Sequence, residues 1–195
     1  MSVLLREIPL FSGCRPELTK QLGASAIERK MRAGEVVLGL FDSEDPDQLR
    51  EVMRGLWGAK TSAAIQQRML ELSRGPIGYD AIYYGLSTCQ NKTRGVVERL
   101  VEAAAGVGAD ANSFDRALWG LQQGILEDDR AFLCDKLREL FEARSSLHLH
   151  LEILQCFSMY GSAADVEWLE SLEDDERRPE AVRQAAAEAL DRLAD

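Results

Sequence analysis

Residues 165–190 read DVEWLESLEDDERRPEAVRQAAAEAL. Ser162, just upstream, is a helix-capping residue and opens a helix over 163–172. Glu173, Asp174, Asp175 and Glu176 follow as a polar turn. Arg178 or Pro179 starts the terminal helix, since proline fits the first helical turn. That helix runs through Leu193 with an alanine-rich face. The chain therefore ends in two helices joined by an acidic turn, with Leu190 expected to be buried against the preceding hairpin.

Working back from this pair, the same pattern recurs. Apolar residues at helical spacing and capping residues mark nine helices after residue 46. The first helices of successive pairs are expected to begin near residues 47, 78, 112, 146 and 179. A period in this range is a solenoid signature. Gly55-Leu56-Trp57-Gly58, Tyr84-Gly85-Leu86 and Trp119-Gly120-Leu121 occupy comparable points, where a small residue lets helices approach closely. Each hairpin alone would expose an apolar face, so neighbours must stack on it. The expected fold is all-α, an α–α superhelix over residues 46–195 with an N-terminal capping segment over 1–45.

The terminal pair resembles a HEAT repeat. In that family a helix ends at an acidic turn, and the next opens with Val-Arg and an alanine-rich face before a Leu. Here those residues are Asp174, Asp175, Val182, Arg183, Ala186, Ala189 and Leu190. Earlier pairs match in spacing alone. The resemblance implies a HEAT/armadillo-like fold, and such scaffolds host many roles. Residues 4–38 resemble the opening of a cyclic-nucleotide-binding domain, through Leu4–Gly13, Pro16-Glu17-Leu18 and Gly34-Glu35-Val36-Val37. No barrel pattern and no glycine-rich phosphate cassette follow. The expectation is a structural cap that binds no cyclic nucleotide, with Leu5, Leu10 and Phe11 covering the first helical pair.

Composition narrows the function classes. Thirty-three acidic residues against 23 basic give a formal charge of -10. Such a chain repels phosphate backbones, and no aromatic residues interleave with a basic run, so no nucleic acid partner is expected. The charge is uneven. Residues 162–195 hold eleven acidic and four basic side chains. Asp165, Glu170, Glu173 and Glu176 are the candidate interaction residues, facing another protein, possibly a basic one. No apolar run reaches the length of a membrane span. Cys14, Cys89, Cys134 and Cys156 form no CxxC pair, and no signal peptide opens the chain. These features lead to the expectation of a cytoplasmic protein with reduced thiols and no membrane partner.

Chemistry-bearing motifs are few. His148 and His150 are two residues apart on a helix and point in opposed directions, so they cannot clamp one metal. Glu127, Asp128 and Asp129 read as helix-start acids rather than a cation site, with Asp128 or Asp129 opening a helix from Arg130. The Asn91-Lys92-Thr93 triplet reads as a chance sequon. No catalytic residue, metal or cofactor is expected. The primary expectation is a non-enzymatic protein–protein interaction scaffold or adaptor. The alternative is a small-ligand-binding or lyase-like protein with a pocket between helices. It would line that pocket with Trp57, Tyr83, Tyr84 or Trp119, aromatics whose helical spacing otherwise places them in the core.

Overall fold

The computed structural model describes residues 38–106 and 111–194. The regular elements among them are helical, with no strand. The α-helices are α1 Pro46–Gly55, α2 Ala63–Leu72, α3 Gly78–Asp80, α4 Arg94–Ala104 and α5 Ala111–Leu121, followed by α6 Glu127–Ala143, α7 Leu147–Tyr160, α8 Val166–Glu173 and α9 Glu180–Ala194. Helix α3 runs straight into a π-helical segment, Ala81–Leu86, and a 3-10 turn, Ala163–Asp165, leads into α8. The first helices of the pairs start at Pro46, Gly78, Ala111, Leu147 and Glu180, each within one residue of the expected position. Of the capping segment expected over residues 1–45, residues 1–37, with Leu5, Leu10 and Phe11, lie outside the described residues.

Local chemistry sets these boundaries. The Asp45 side chain accepts from the Asp47 backbone N–H, and Pro46 fills the first position of α1. Ser62 caps α2 by accepting from the Ile65 N–H. Ser146 does the same for Leu149 at the start of α7. Helix α6 differs from its expected start. It begins one turn earlier, so Glu127, Asp128 and Asp129 lie inside its first turn rather than capping it. There the three carboxylates offset the positive end of the helix dipole.

The chain divides into two compact units, Met1–Gly120 and Leu121–Asp195. In the first, α1, α2 and α4 pack against the π-helical segment, and α2 packs against α4. Glycines set the closeness of that packing. A Cβ on Gly120 would lie 2.7 Å from the Ser87 Cα, and one on Gly85 would lie 2.6 Å from the Met69 Sδ. Met53, Met69, Ile82, Leu86 and Leu100 fill the core behind these contacts.

In the second unit α9 packs against α7 and α8, and α6 packs against α7. Phe141 and Phe157 are fully buried at its centre. His150 stacks on Phe141 with ring centroids 3.9 Å apart. Its Nε2 lies 2.6 Å from the Arg144 carbonyl and 3.1 Å from the Phe141 carbonyl, so Nε2 carries the proton and donates. His148 is exposed, and the two histidines are apart, as the helical period requires. One expectation is corrected here. Leu190 is half-buried, and α9 instead docks through Val182, Ala186 and Ala189. Those positions recur at spacings of four and three, which leaves Leu190 on the flank of the stripe.

Candidate interaction site

The four acids named from the sequence do not form one group. Glu170, Glu173 and Glu176 are exposed. Asp165 is buried, with 4% exposure. Its carboxylate accepts from the Ser162 N–H at 2.8 Å and pairs with the Arg138 guanidinium. The Ser162 hydroxyl in turn accepts from the Ala164 N–H, which completes a capping box. Asp165 therefore holds the start of α8 and presents no charge to a partner.

The first unit gathers a different set. Trp57, Tyr79, Tyr83, Tyr84 and Trp119 form one aromatic cluster, with successive ring centroids 4.8 to 6.5 Å apart. Helical spacing assigns Trp57, Tyr83, Tyr84 and Trp119 to the core, and the structure corrects this. Trp57 is 49% exposed and Trp119 is 38% exposed, while the tyrosines are half-buried. Trp57 lies just past the end of α1, where the chain turns through Gly58 at a φ of 70°. Only glycine adopts that conformation without strain, and the turn lifts Trp57 out of the helix packing. Tyr83 and Tyr84 come from the π-helical segment. Its wider turn narrows the angle between consecutive side chains, so both rings serve one face and meet edge to face.

Arg116 sits among these rings. Its guanidinium carbon is 3.7 Å from the Trp119 ring centroid and 4.5 Å from those of Trp57 and Tyr83. Trp119 is on the next turn of the same helix, α5, which fixes the first contact. Arg116 Nε donates to the Tyr83 carbonyl at 3.1 Å. Its Nη2 is buried and has no hydrogen-bond acceptor among the described residues. Burial lowers its pKa from the ordinary arginine value, and the three tyrosines partly offset this. Arg54 flanks the cluster, stacked 4.7 Å over Tyr84 and donating to its hydroxyl.

A polar clasp lies in the same unit. Thr61 N–H donates to Asn91 Oδ1, and Asn91 Nδ2 donates back to the Thr61 carbonyl, both at 2.8 Å. Gln66 bridges the Asn91 carbonyl and the Thr93 N–H. The sequon asparagine is thus held within the fold. Lys92 is fully buried, and its Nζ donates to the Cys89 carbonyl at 2.6 Å. Burial pushes its pKa down to about 8. Cys89, Cys134 and Cys156 are buried free thiols, and burial raises Cys134 to about 12 and Cys156 further. All three fill the fold, and Cys134 and Cys156 are poor nucleophiles in that state.

In the second unit a cleft of about 480 Å³ is lined by Glu142, Trp168, Ser171, Leu172, Asp174, Asp175, Arg177 and Arg178. Its charges are mutually engaged. Arg177 Nε reaches Asp175 at 2.8 Å, and Arg178 reaches Glu142 and Asp175 at 3.6 Å. None of the four predicted acids lines it. Among the described residues no group of histidines, cysteines and carboxylates could hold a metal ion. No described helix is long and apolar enough to cross a membrane.

Arg116 was missed by reading the sequence, although a signal was present. Arg54, Tyr84 and Trp119 each precede a Gly-Leu pair in successive first helices. That shared register puts them on one face, and Arg116 lies one turn before Trp119 on it. No family model, curated protein or solved structure matches this chain.

Proposed function

We propose that this chain is a non-enzymatic protein–protein interaction scaffold or adaptor built from HEAT-like helical repeats. The observation that carries the reading is the exposed Trp57–Tyr83–Tyr84–Trp119 cluster closed around Arg116. Trp, Tyr and Arg are the residue types that dominate interface hot spots, and they cluster there as they do here. The repeat reading draws support from hydrogen bonds that join neighbouring hairpins at one recurring separation, a little shorter than the spacing of the pair starts. Arg50–Asp80, Arg54–Tyr84, Thr61–Asn91 and Gln122–Glu152 are each 30 residues apart. The three buried free thiols support a reducing compartment, the cytoplasm. The test is crosslinking in cells of the native host with the wild-type chain and a Trp57→Ala/Trp119→Ala double variant. A protein crosslinked to the wild type and lost from a folded double variant is the expected result. An identical crosslink pattern for both would place the function elsewhere.

A second reading is the small-ligand one, and the cleft beside Trp168 favours it. A thermal-shift screen of small carboxylates and amines addresses it. Stabilisation abolished by Trp168→Ala, with the double variant unaffected, would replace the first reading with this one.

A further inference from the structure

The chemistry of the partner follows from what Arg116 lacks. Arg50 pairs with Asp80 at 2.9 Å, Arg99 with Glu102 at 3.5 Å, and Arg178 with Glu142 at 3.6 Å. Arg116 pairs with no carboxylate among the described residues, and its charge rests on three ring faces and the Tyr83 carbonyl. A partly buried guanidinium with an unfilled Nη2 is short of an anionic acceptor. Arg54 at the rim is already paired with Glu51 at 3.2 Å, so Arg116 supplies the charge the patch offers on a chain of net charge -10. Trp57 and Trp119 offer half-exposed rings beside that charge. A planar guanidinium binds a carboxylate through paired N–H donors, and neighbouring rings exclude water from the bond.

We infer that the Arg116 cluster docks an acidic segment of a partner protein, seating a carboxylate on the Arg116 guanidinium and a flanking apolar side chain on Trp57 and Trp119. A swing of Trp57, which sits on the exposed turn after α1, opens the way to Nη2. The inference rests on the interaction reading and adds the partner's charge, opposite in sign to the basic partner expected from the acidic C-terminal third. Single-stranded nucleic acid also stacks on aromatic and arginine surfaces. The overall negative charge of the chain disfavours it.

The test selects peptides from a random display library on the intact chain, then measures labelled synthetic copies by fluorescence anisotropy. The expected peptides carry Asp or Glu beside an apolar residue. Changing that acid to its amide should weaken binding about tenfold or more, as should Arg116→Gln. Arg116→Lys should recover only part of the loss, because it keeps the charge without the planar fork. Raised salt should weaken binding as well. The peptide-side substitution leaves the protein intact, so misfolding of a variant cannot imitate the result. Peptides that need Trp57 and Trp119 but tolerate the amide change would overturn the acidic-segment inference and leave the interaction reading standing. Selection that yields no peptide, or peptides indifferent to the tryptophans, would overturn both. Tighter binding of an oligothymidine than of any selected peptide would replace the acidic segment with nucleic acid.

Discussion

The two units handle arginine differently. In the second, Arg138 pairs with the buried Asp165, Arg178 reaches Glu142 and Asp175, and Arg177 grips Asp175. In the first, Arg50 follows the same pattern with Asp80, yet Arg116 is stacked on tryptophan and tyrosine with no acid among the described residues. A paired arginine spends its charge on holding helices together. A stacked one keeps its charge available, whereas buried guanidinium atoms without a hydrogen-bond partner among the described residues occur in both units, on Arg68 and Arg116 in the first and on Arg138 and Arg183 in the second. Binding sites are where a fold tolerates local inconsistency, so the recognition site we propose is the stacked Arg116 of the first unit, set against the structural pairing of Arg138 in the second.

The largest expected effect tests the structural half of that contrast. Asp165→Ala removes the ion pair to Arg138 and the capping box at Ser162 together. It should destabilise the protein by about 2–4 kcal/mol in a urea melt, since it also leaves Arg138 without its buried partner. Asp165→Asn should cost less, because the amide oxygen can still accept from Ser162. A loss below about 1 kcal/mol for the alanine variant would mean that the pairing in the second unit is not structural.

Lys92 gives the next effect, and its sign is fixed by linkage. Its folded pKa of about 8 lies below the unfolded value, 10.5. Between those values the unfolded chain binds more protons, so stability rises with pH through that window. The Lys92 share of the change from pH 8 to pH 9, read as wild type minus Lys92→Met, should be a gain of about 1 kcal/mol. The comparison stops at pH 9 for a physical reason. Cys134 and Cys156 have folded pKa values raised above their usual 9.0, so the stability they contribute falls progressively from about pH 8 upward, alike in wild type and variant, and dominates beyond pH 9. Urea midpoints at the two pH values, wild type against variant, decide the matter. A pH-independent difference would mean that Lys92 does not change charge in the fold over this range.

How much of this was legible follows from what each signal encodes. Helix pairs were readable because every helix must bury an apolar stripe, and the stripe has a fixed period. The start of each pair was found to within one residue, since caps such as Ser62 and Ser146 are local chemistry. The π-helical segment was not readable. One extra residue in the hydrogen-bonded turn leaves the pattern Ala81, Ile82, Leu86 nearly unchanged. Helical spacing says which residues share a face, but not whether another helix covers it, so it assigns Trp57 and Trp119 to the core although both are exposed. Asp165 was taken for surface charge by its composition, although Ser162 three residues earlier marks it as a capping acid.

Arg116 tests the other half of the contrast, with a smaller effect on stability. Arg116→Gln removes stacking on three rings and also removes a desolvated charge. The two changes oppose one another, and the net shift should stay within about 1 kcal/mol. Equilibrium melts of the variant check this. A loss comparable with Asp165→Ala would show that Arg116 is as structural as Arg138, and the distinction between the units would fall.

The smallest effect belongs to the exposed acids. Glu170 and Glu173 lie in the last turn of α8, where the helix dipole disfavours negative charge, and Glu176 lies on the turn before α9. Reversing the first two to lysine should stabilise by a few tenths of a kcal/mol each, and reversing Glu176 should cost about as much. The triple variant Glu170→Lys/Glu173→Lys/Glu176→Lys should therefore melt within about 0.5 kcal/mol of the wild type. Because the three side chains are exposed and lie outside the Arg116 cluster, the affinity of peptides selected on that cluster should be preserved. A reversal of charge there should alter only the long-range attraction that steers encounter. If binding instead weakens sharply and its on-rate loses salt dependence, the acidic face of the second unit is the contact region. Recognition and structural pairing would then share one unit, and the stacked Arg116 would need a different account.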